Sequence, residues 1–297
     1  MADAHGEPAV PLKRSERRKV AARTALRPQV VHEAIRREGE EELGRPATAL
    51  FWSALAAGLS MGFSLVAEGI LRSALPDATW RVVVTKLGYS LGFLFVILGR
   101  QQLFTENTLT VVLPFLAAPS VRALGRVARV WGIVLAGNVL GALAFASSLT
   151  IHGLFASEHR EAFAAIGMKA LEPGVAGVLM RGVYGGWLIA LMVWLLPAAR
   201  SARFFVVVTV TWLVGAAELS HSIAGSVEVL YAVADGRVGL ATFFLRFLAP
   251  VVLGNCIGGV ALVAALNHQQ VVSGAPRETN GAAARERLSS GAAPAMT

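Results

Sequence analysis

The sequence has little of the charge that a water-soluble protein carries on its surface. Asp, Glu, Lys and Arg make up only 15% of the 297 residues, whereas apolar residues make up 55% and the mean hydropathy is +0.59. Soluble domains contain about 25% charged residues, so this composition excludes a soluble globular enzyme or binding module. We therefore expect a protein whose surroundings are the lipid bilayer.

Several chemical signatures are also missing. The single cysteine, Cys256, excludes an internal disulfide and lies inside an apolar segment, where a small buried residue is its simplest role. No His-Glu-x-x-His, Gly-x-Ser-x-Gly or paired-aspartate pattern occurs in the apolar segments. We therefore expect no enzymatic activity, no metal and no other cofactor.

The basic charge is concentrated near one end of the chain. The formal net charge is +8 at pH 7, and residues 13–45 are rich in Lys and Arg. The loops 119–130 and 197–203 carry arginine and no acid, whereas the other loops contain Asp or Glu. Lys and Arg accumulate on the cytoplasmic side of membrane proteins. We therefore expect an inner-membrane protein with both termini in the cytoplasm and without a nucleic-acid partner.

Six apolar segments approach the roughly 20 residues that a helix needs to cross a bilayer core of about 30 Å. They are 48–75, 82–98 with a continuation at 109–118, 127–149, 175–197, 204–217 with a continuation at 223–233, and 240–266. The fold class predicted is an all-α membrane protein with six transmembrane helices, of which the second and fifth are broken.

The segments divide the chain into three regions. We expect a basic cytoplasmic tail at 1–46, a transport domain at 47–268 and a disordered cytoplasmic tail at 269–297. Residues 13–44 either form an amphipathic helix along the membrane surface or stay a solvated, partly helical tail. The first apolar stretch begins near Ala47, too late and too long for a cleaved signal peptide.

The breaks in the second and fifth segments are the most informative feature. Leu103-Phe-Thr-Glu-Asn-Thr-Leu109 and Leu219-Ser-His-Ser-Ile-Ala-Gly225 place polar residues inside apolar stretches, and Thr105 and His221 are 116 residues apart. Backbone freed from a helix at membrane depth is tolerated only where it is packed in protein or lines a cavity. Matching breaks in two halves of a chain therefore predict a transport site between them.

A second pair of strings repeats at nearly the same spacing. Gly137-Asn-Val-Leu-Gly141 and Gly254-Asn-Cys-Ile-Gly258 are 117 residues apart, and each follows a broken segment. Small residues four apart let helix backbones approach closely. Because each half has three spans, the two halves would be inverted repeats. The repeat packing residues expected are Gly137, Asn138, Gly141, Gly254, Asn255 and Gly258.

His221 is the only histidine well inside a predicted span. An ionisable side chain at that depth is a functional hypothesis by default, and an imidazole suits proton exchange near neutral pH. The residues expected with it in a central pore are Thr105, whose hydroxyl could donate to the histidine, Ser222 and Glu218. Glu218 could line the site, pair with the histidine or satisfy backbone donors of the loop.

The other break supplies polar and apolar candidates. Glu106 and Asn107 are its polar residues, and Glu106 either caps a half-helix beginning near Asn107 or faces the pore. Leu103 and Phe104 form either a hydrophobic constriction or ordinary core. Half-helices starting after both breaks would direct partial positive charge toward the centre, which favours an anion there.

These residues also carry a family resemblance. Gln102-Leu-Phe-Thr-Glu-Asn-Thr108 resembles the second-helix break of the formate/nitrite transporter (FNT) family, and His221-Ser-Ile-Ala resembles its fifth-helix His-Ser-Val-Ala. Lys169 before Arg181-Gly182 is similar to the family's loop lysine, and Trp187-Leu-Ile-Ala-Leu-Met-Val-Trp194 to its fourth helix. Gly225-Ser-Val-Glu-Val-Leu-Tyr231 and Gly99-Arg-Gln-Gln102 are most like the family's YfdC-like branch.

The resemblance implies an aquaporin-like protomer in a homopentamer. It makes Leu103 and Phe104 constriction residues, places Thr105 near a central His221 and makes Lys169 a vestibule lysine that attracts anions. A small weak-acid anion would gain a proton directly or indirectly from His221 and cross the apolar constriction as a neutral molecule, which avoids a bare charge in hydrocarbon. The partners expected are therefore a small anionic solute, protons and the lipid bilayer.

The sequence also departs from the family pattern near the histidine. Gly186, Ser220, Gly225 and Gln102 stand where the family usually has Asn, Glu, Asn and Glu. These changes leave the identity of the solute open. The alternative function is a neutral-solute or water channel on the same broken-helix plan, although the Asn-Pro-Ala signature of aquaporins is absent.

Overall fold

The computed structural model describes residues 13–16, 20 and 26–273, and all regular structure in that part of the chain is helical. The all-helical prediction is therefore confirmed. The end of the predicted C-terminal tail, from residue 274, lies outside the described residues, as does most of the chain before residue 26. The helices are α1 Pro28–Gly44, α2 Ala47–Ala74, α3 Arg81–Leu98, α4 Phe104–Thr110, α5 Val112–Ala117, α6 Val121–Ser148, α7 Ser157–Lys169, α8 Gly174–Ala199, α9 Arg203–Ala216, α10 Ala224–Ala234 and α11 Leu240–Ser273.

Five helical stretches within the described residues are long and apolar enough to cross a membrane. They are Ala47–Ala74, Arg81–Leu98, Val121–Ser148, Gly174–Ala216 and Leu240–Ser273, and α10 is a shorter apolar helix. The fourth stretch has 43 residues, which as a straight helix would be about 65 Å long, twice the bilayer core. Its direction changes at Arg200, where φ is 41° and ψ is −111°, so the stretch comprises α8 and α9 on either side of a turn.

Glycines bring the longest helices into backbone contact. A Cβ on Gly141 of α6 would lie 2.4 Å from the carbonyl oxygen of Leu55 in α2. A Cβ on Gly258 of α11 would lie 2.0 Å from the carbonyl oxygen of Val183 in α8. The glycines at the ends of the two repeated strings therefore let α2 meet α6, and α8 meet α11, in the same way.

Helix α11 is wound more loosely than an α-helix in two places. Phe243–Leu248 and Ile257–Ala265 have π-helical hydrogen bonding, a rare geometry that is frequent at functional sites. The first stretch carries Phe247, whose ring packs against Gly225 of α10, and the second presents Gly259 to the hydroxyl of Thr108 in α4. The loose winding therefore coincides with the contacts that α11 makes to both half-helices after the breaks.

Helix α1 lies against the rest of the molecule instead of standing apart from it. Val31, Ile35 and Leu43 on one face of α1 are buried. His32 Nε2 lies 3.0 Å from Nδ1 of His268 near the end of α11, and the His32 ring meets Trp194 edge to face at 6.3 Å. The two terminal helices of the described chain are thus joined by a histidine pair.

The glycine contacts generate the first prediction. Gly141→Ala should destabilise the protein by about 1–3 kcal/mol, because the new methyl group has to displace the α2 backbone. Gly125→Ala in the same helix is the control, since nothing lies within 4 Å of its Cβ position and alanine favours the helix. The melting temperature in detergent checks this; equal melting temperatures for the two variants would contradict it.

The histidine pair generates a prediction about pH. Burial, followed by the charge of His268, lowers the pKa of His32 below its ordinary 6.5. The stabilisation from docking neutral His32 is therefore present above pH 6.5 and is lost as the pH falls through the lowered pKa. The melting temperature should fall between pH 7.5 and 5, and His32→Gln should flatten that fall. His152→Gln, at an exposed histidine, should leave it unchanged; a wild-type slope in His32→Gln would refute the assignment.

Candidate functional site

Both breaks begin with the same turn. Arg100 and Glu218, which lie two residues beyond the ends of α3 and α9, have φ of 52° and 53°. The N–H of Gln101 donates to the carbonyl of Val96, and the N–H of Leu219 donates to the carbonyl of Val214, each at 2.9 Å. These are Schellman-type ends with a non-glycine residue in the left-handed region, a conformation that costs about 1–2 kcal/mol.

Asn138 of α6 holds the chain after the first turn. Its Nδ2 donates to the carbonyls of Gln102 and Ala54, both at 2.8 Å, and its Oδ1 accepts from the N–H of Phe104 at 2.9 Å. The side chain is fully buried. One amide thus satisfies the backbone on both sides of Leu103 and fixes it to α2.

Asn255 of α11 makes the same set of bonds at the second break. Its Nδ2 donates to the carbonyls of Ser220 at 3.0 Å and Gly182 at 2.8 Å, and its Oδ1 accepts from the N–H of Ser222 at 2.9 Å. His221 therefore holds the position in its break that Leu103 holds in the other. The two asparagines, expected from the sequence as packing residues, act as backbone clamps.

His221 is 1% exposed, and both of its ring nitrogens are occupied. Nδ1 lies 3.2 Å from the backbone nitrogens of Ile223 and Ala224, which donate to it, and Nε2 lies 2.7 Å from Oγ1 of Thr105. Because Nδ1 accepts, Nε2 carries the proton and donates to the hydroxyl. The contact between Thr105 and His221 joins the two breaks.

This arrangement favours the neutral imidazole. A second proton on Nδ1 would face two backbone N–H donors, with no acceptor to receive it. The ring edge packs on Phe93, with the centroids 4.9 Å apart. His221 therefore offers one N–H to Thr105 while its other nitrogen stays bound to the chain.

The remaining residues of the first break are buried around this contact. Leu103 and Phe104 are fully or almost fully buried, and Phe104 packs edge to face on Trp131 at 5.8 Å. The half-helix α4 begins at Phe104, not near Asn107, and no side chain caps it. The capping role considered for Glu106 is therefore wrong, because Glu106 lies within the first turn.

A cavity of about 70 Å³, the histidine-side cavity, reaches His221. That volume holds roughly five water molecules. Lys169 at the end of α7 is ion-paired with Glu218, and Nη1 of Arg181 lies 3.3 Å from the second oxygen of the same carboxylate. Glu218 therefore binds the two cations at the cavity wall, and its carboxylate makes no hydrogen bond to His221.

A larger cavity of about 390 Å³, the amino-terminal cavity, lies between α1 and the first break. It reaches Gln102, Glu106 and Asn107, and Asn107 Nδ2 donates to Gln102 Oε1 at 3.1 Å. Its charged lining consists of four carboxylates and three guanidinium groups, from Glu38, Glu41, Glu42, Glu106, Arg37, Arg100 and Arg203. Leu103, Phe104 and Thr105 line neither of these two cavities.

The sequence analysis predicted no role for three ionisable residues that line the histidine-side cavity. Glu68 of α2 forms an ion pair with Lys86 of α3, and Glu228 of α10 lines the same cavity. A signal for them existed, because each lies inside an apolar segment where a charge is expensive.

The chain is similar to known membrane proteins in sequence. A family model described as formate/nitrite transporter matches residues 29–269. The inner membrane protein YfdC of Escherichia coli (strain K12) is 42% identical over 249 residues, which are 84% of this chain and 80% of that protein. The uncharacterized transporter YwcJ of Bacillus subtilis (strain 168) is 22% identical over 214 residues, which are 70% and 83% of the two chains.

Solved structures share the fold. A pentameric formate channel with formate bound superimposes with a TM-score of 0.68 at 21% identity, covering 76% of this chain and 98% of that one. An FNT family ion channel superimposes with a TM-score of 0.69 at 18% identity, covering 82% and 98%. These proteins are channels, not enzymes, and the likeness establishes the shared architecture.

The asparagine clamps generate the prediction for this site. Asn255→Leu should lower the free energy of unfolding by about 2–5 kcal/mol, because the carbonyl of Ser220 and the N–H of Ser222 lose their partner in a buried place. Asn267→Leu, a partly exposed position in the same helix, should change it little. Melting temperatures in detergent measure both; a stable Asn255→Leu protein would show that the clamp is dispensable.

Proposed function

The chain belongs to the formate/nitrite transporter family, and on that premise we propose that it is a proton-linked channel or transporter for small monovalent weak-acid anions. The solutes belong to the class of formate, nitrite and short carboxylates. The chain lies in the cytoplasmic membrane with both termini in the cytoplasm. Its protomers assemble into a homopentamer, as the solved formate channel does.

The observation that carries the proposal is the contact between Thr105 and His221 at 2.7 Å. It lies between two cavities that enter the molecule from different sides, and Leu103 and Phe104 close the gap beside it. A solute crossing the molecule has to pass this point. The Nε2–H of His221 can turn from the Thr105 hydroxyl to an anion without changing its bonds to the backbone.

The two clamps also support an inverted repeat. Asn138 and Asn255 bind corresponding atoms of the two breaks, and the glycines beside them make corresponding contacts. In this arrangement Leu103 and His221 are related positions, one apolar and one polar, on either side of the centre. An anion that is neutralised beside the histidine passes the leucine without a bare charge in an apolar constriction.

Flux through liposomes tests the function. Purified wild-type protein in vesicles with an acidic outside should take up at least one of formate, nitrite, acetate and lactate. His221→Asn should lower that uptake by about tenfold or more, because asparagine keeps an acceptor near the Nδ1 position and removes the group that reaches Thr105. His152→Asn, at an exposed histidine, is the matched control.

A different permeability would contradict the proposal. If none of the four anions crosses, and stopped-flow measurements show water or glycerol permeability, then the protein is a neutral-solute channel.

A further inference from the structure

Two carboxylates and one ammonium group lie in the histidine-side cavity between its mouth and His221. Glu68 comes from α2, Lys86 from α3 and Glu228 from α10. Three different helices thus bring charge to one small cavity inside the apolar part of the molecule. Charges in such a place are costly and need partners.

The partners present do not satisfy all three groups. One oxygen of Glu68 binds Nζ of Lys86, and the other oxygen is buried without a hydrogen bond. Glu228 is 9% exposed, faces the cavity, and makes no hydrogen bond or ion pair with its side chain to any described residue. The group therefore has one carboxylate more than it has cations, and that carboxylate is Glu228.

The other ionisable groups around Glu228 do not supply the missing partner. Tyr89 of α3 lies near Lys86, whose Nζ is 5.7 Å from the ring centre. Lys169 and Arg181 are bound to Glu218. Arg72 of α2, the remaining cation of the lining, makes no hydrogen bond or ion pair to Glu228 within the described part of the chain. Helix α6, which also packs against α10, contributes no residue to the cavity.

His221 at the inner end is not placed to hold the proton that moves. Nδ1 accepts two backbone N–H groups, and Nε2 already carries a proton that it donates to Thr105. A carboxylic acid at Glu228 would need no counter-charge, and its O–H would be free to donate into the cavity.

We propose that Glu228 is the residue that delivers the proton to the transported anion, with the Glu68–Lys86 pair beside it in the lining of the same cavity. This rests on the proposed function. The O–H bond of Glu228 breaks, the proton forms a new O–H bond with the carboxylate of the solute, and the electron pair stays on Glu228. The neutral acid moves past His221. Glu228, now ionised, is reprotonated by a hydronium ion from the acidic solution at the cavity mouth, which leaves a water molecule.

The same residue explains why anion and proton would move together. An ionised Glu228 repels an arriving anion, since both are negative in a small space of low polarity. A protonated Glu228 admits the anion and neutralises it. One proton is therefore taken up for each anion that passes.

The test is the pH profile of uptake in proteoliposomes with formate, acetate and lactate. In the wild type, uptake should rise as the outside pH falls and then reach a plateau once Glu228 is protonated. In Glu228→Gln, uptake at pH 7 should fall by about tenfold or more. Uptake by this variant should then depend only on the concentration of neutral acid in solution. It should rise about tenfold for each unit by which the pH falls, without a plateau.

Two further variants separate chemistry from structure. Glu228→Asp keeps a carboxyl group and should restore the plateau. Glu161→Gln, which removes a carboxylate that is 71% exposed on α7, should behave as wild type.

Three results would overturn the proposal. A Glu228→Gln protein with the wild-type rate and plateau would do so while leaving the proposed function intact. A folded Glu228→Asp protein without uptake would assign Glu228 to a structural role. Absence of uptake by the wild type would overturn the proposed function, and this inference with it.

Discussion

The structure depends on one constraint, which is that backbone polar groups released from a helix inside the membrane need hydrogen-bond partners. The chain meets it with two buried asparagine side chains, each bonding a carbonyl before and an N–H after the central residue of a break. Because each asparagine also binds a carbonyl of a neighbouring helix, the breaks are fixed in position. Leu103 and His221 can therefore be held at the centre without being part of a helix.

Close helix packing is what brings the asparagines within reach. Asn138 lies beside Gly137 and Asn255 beside Gly254, and these glycines let the helices approach until backbone touches side chain or backbone. A larger residue would move the amide away from the break by more than a hydrogen bond tolerates. The hydrogen bonds of the asparagines therefore depend on the close packing at the glycines, and the Gly-Asn pairs in the sequence encode both.

The sequence predicted the apolar segments, the two breaks and the repeated glycines, because each depends on composition over a short window. It did not predict the left-handed residues, since Arg100 and Glu218 carry no signal of the kind that glycine gives. The role of Asn138 could not be predicted either, because its hydrogen-bond partners lie 34 to 84 residues away in the sequence. Glu68 and Lys86 are visible in the sequence as charges inside apolar segments. That they pair with each other could not be predicted, because the pairing depends on how α2 packs on α3.

The charges of the histidine-side cavity decide what kind of transport the site suits. A vestibule of free cations would hold an anion tightly. Of the four cations in this lining, Lys169 and Arg181 are bound to Glu218 and Lys86 is bound to Glu68, so only Arg72 has no ion pair to a described residue. The cavity is polar and nearly balanced in charge, so a bare anion gains little by staying in it. Such a site favours passage of a molecule that changes its own charge on the way. On the proposed function, a weak acid does so by taking up one proton, whereas the anion of a strong acid would keep its charge at the apolar side chains of Leu103 and Phe104.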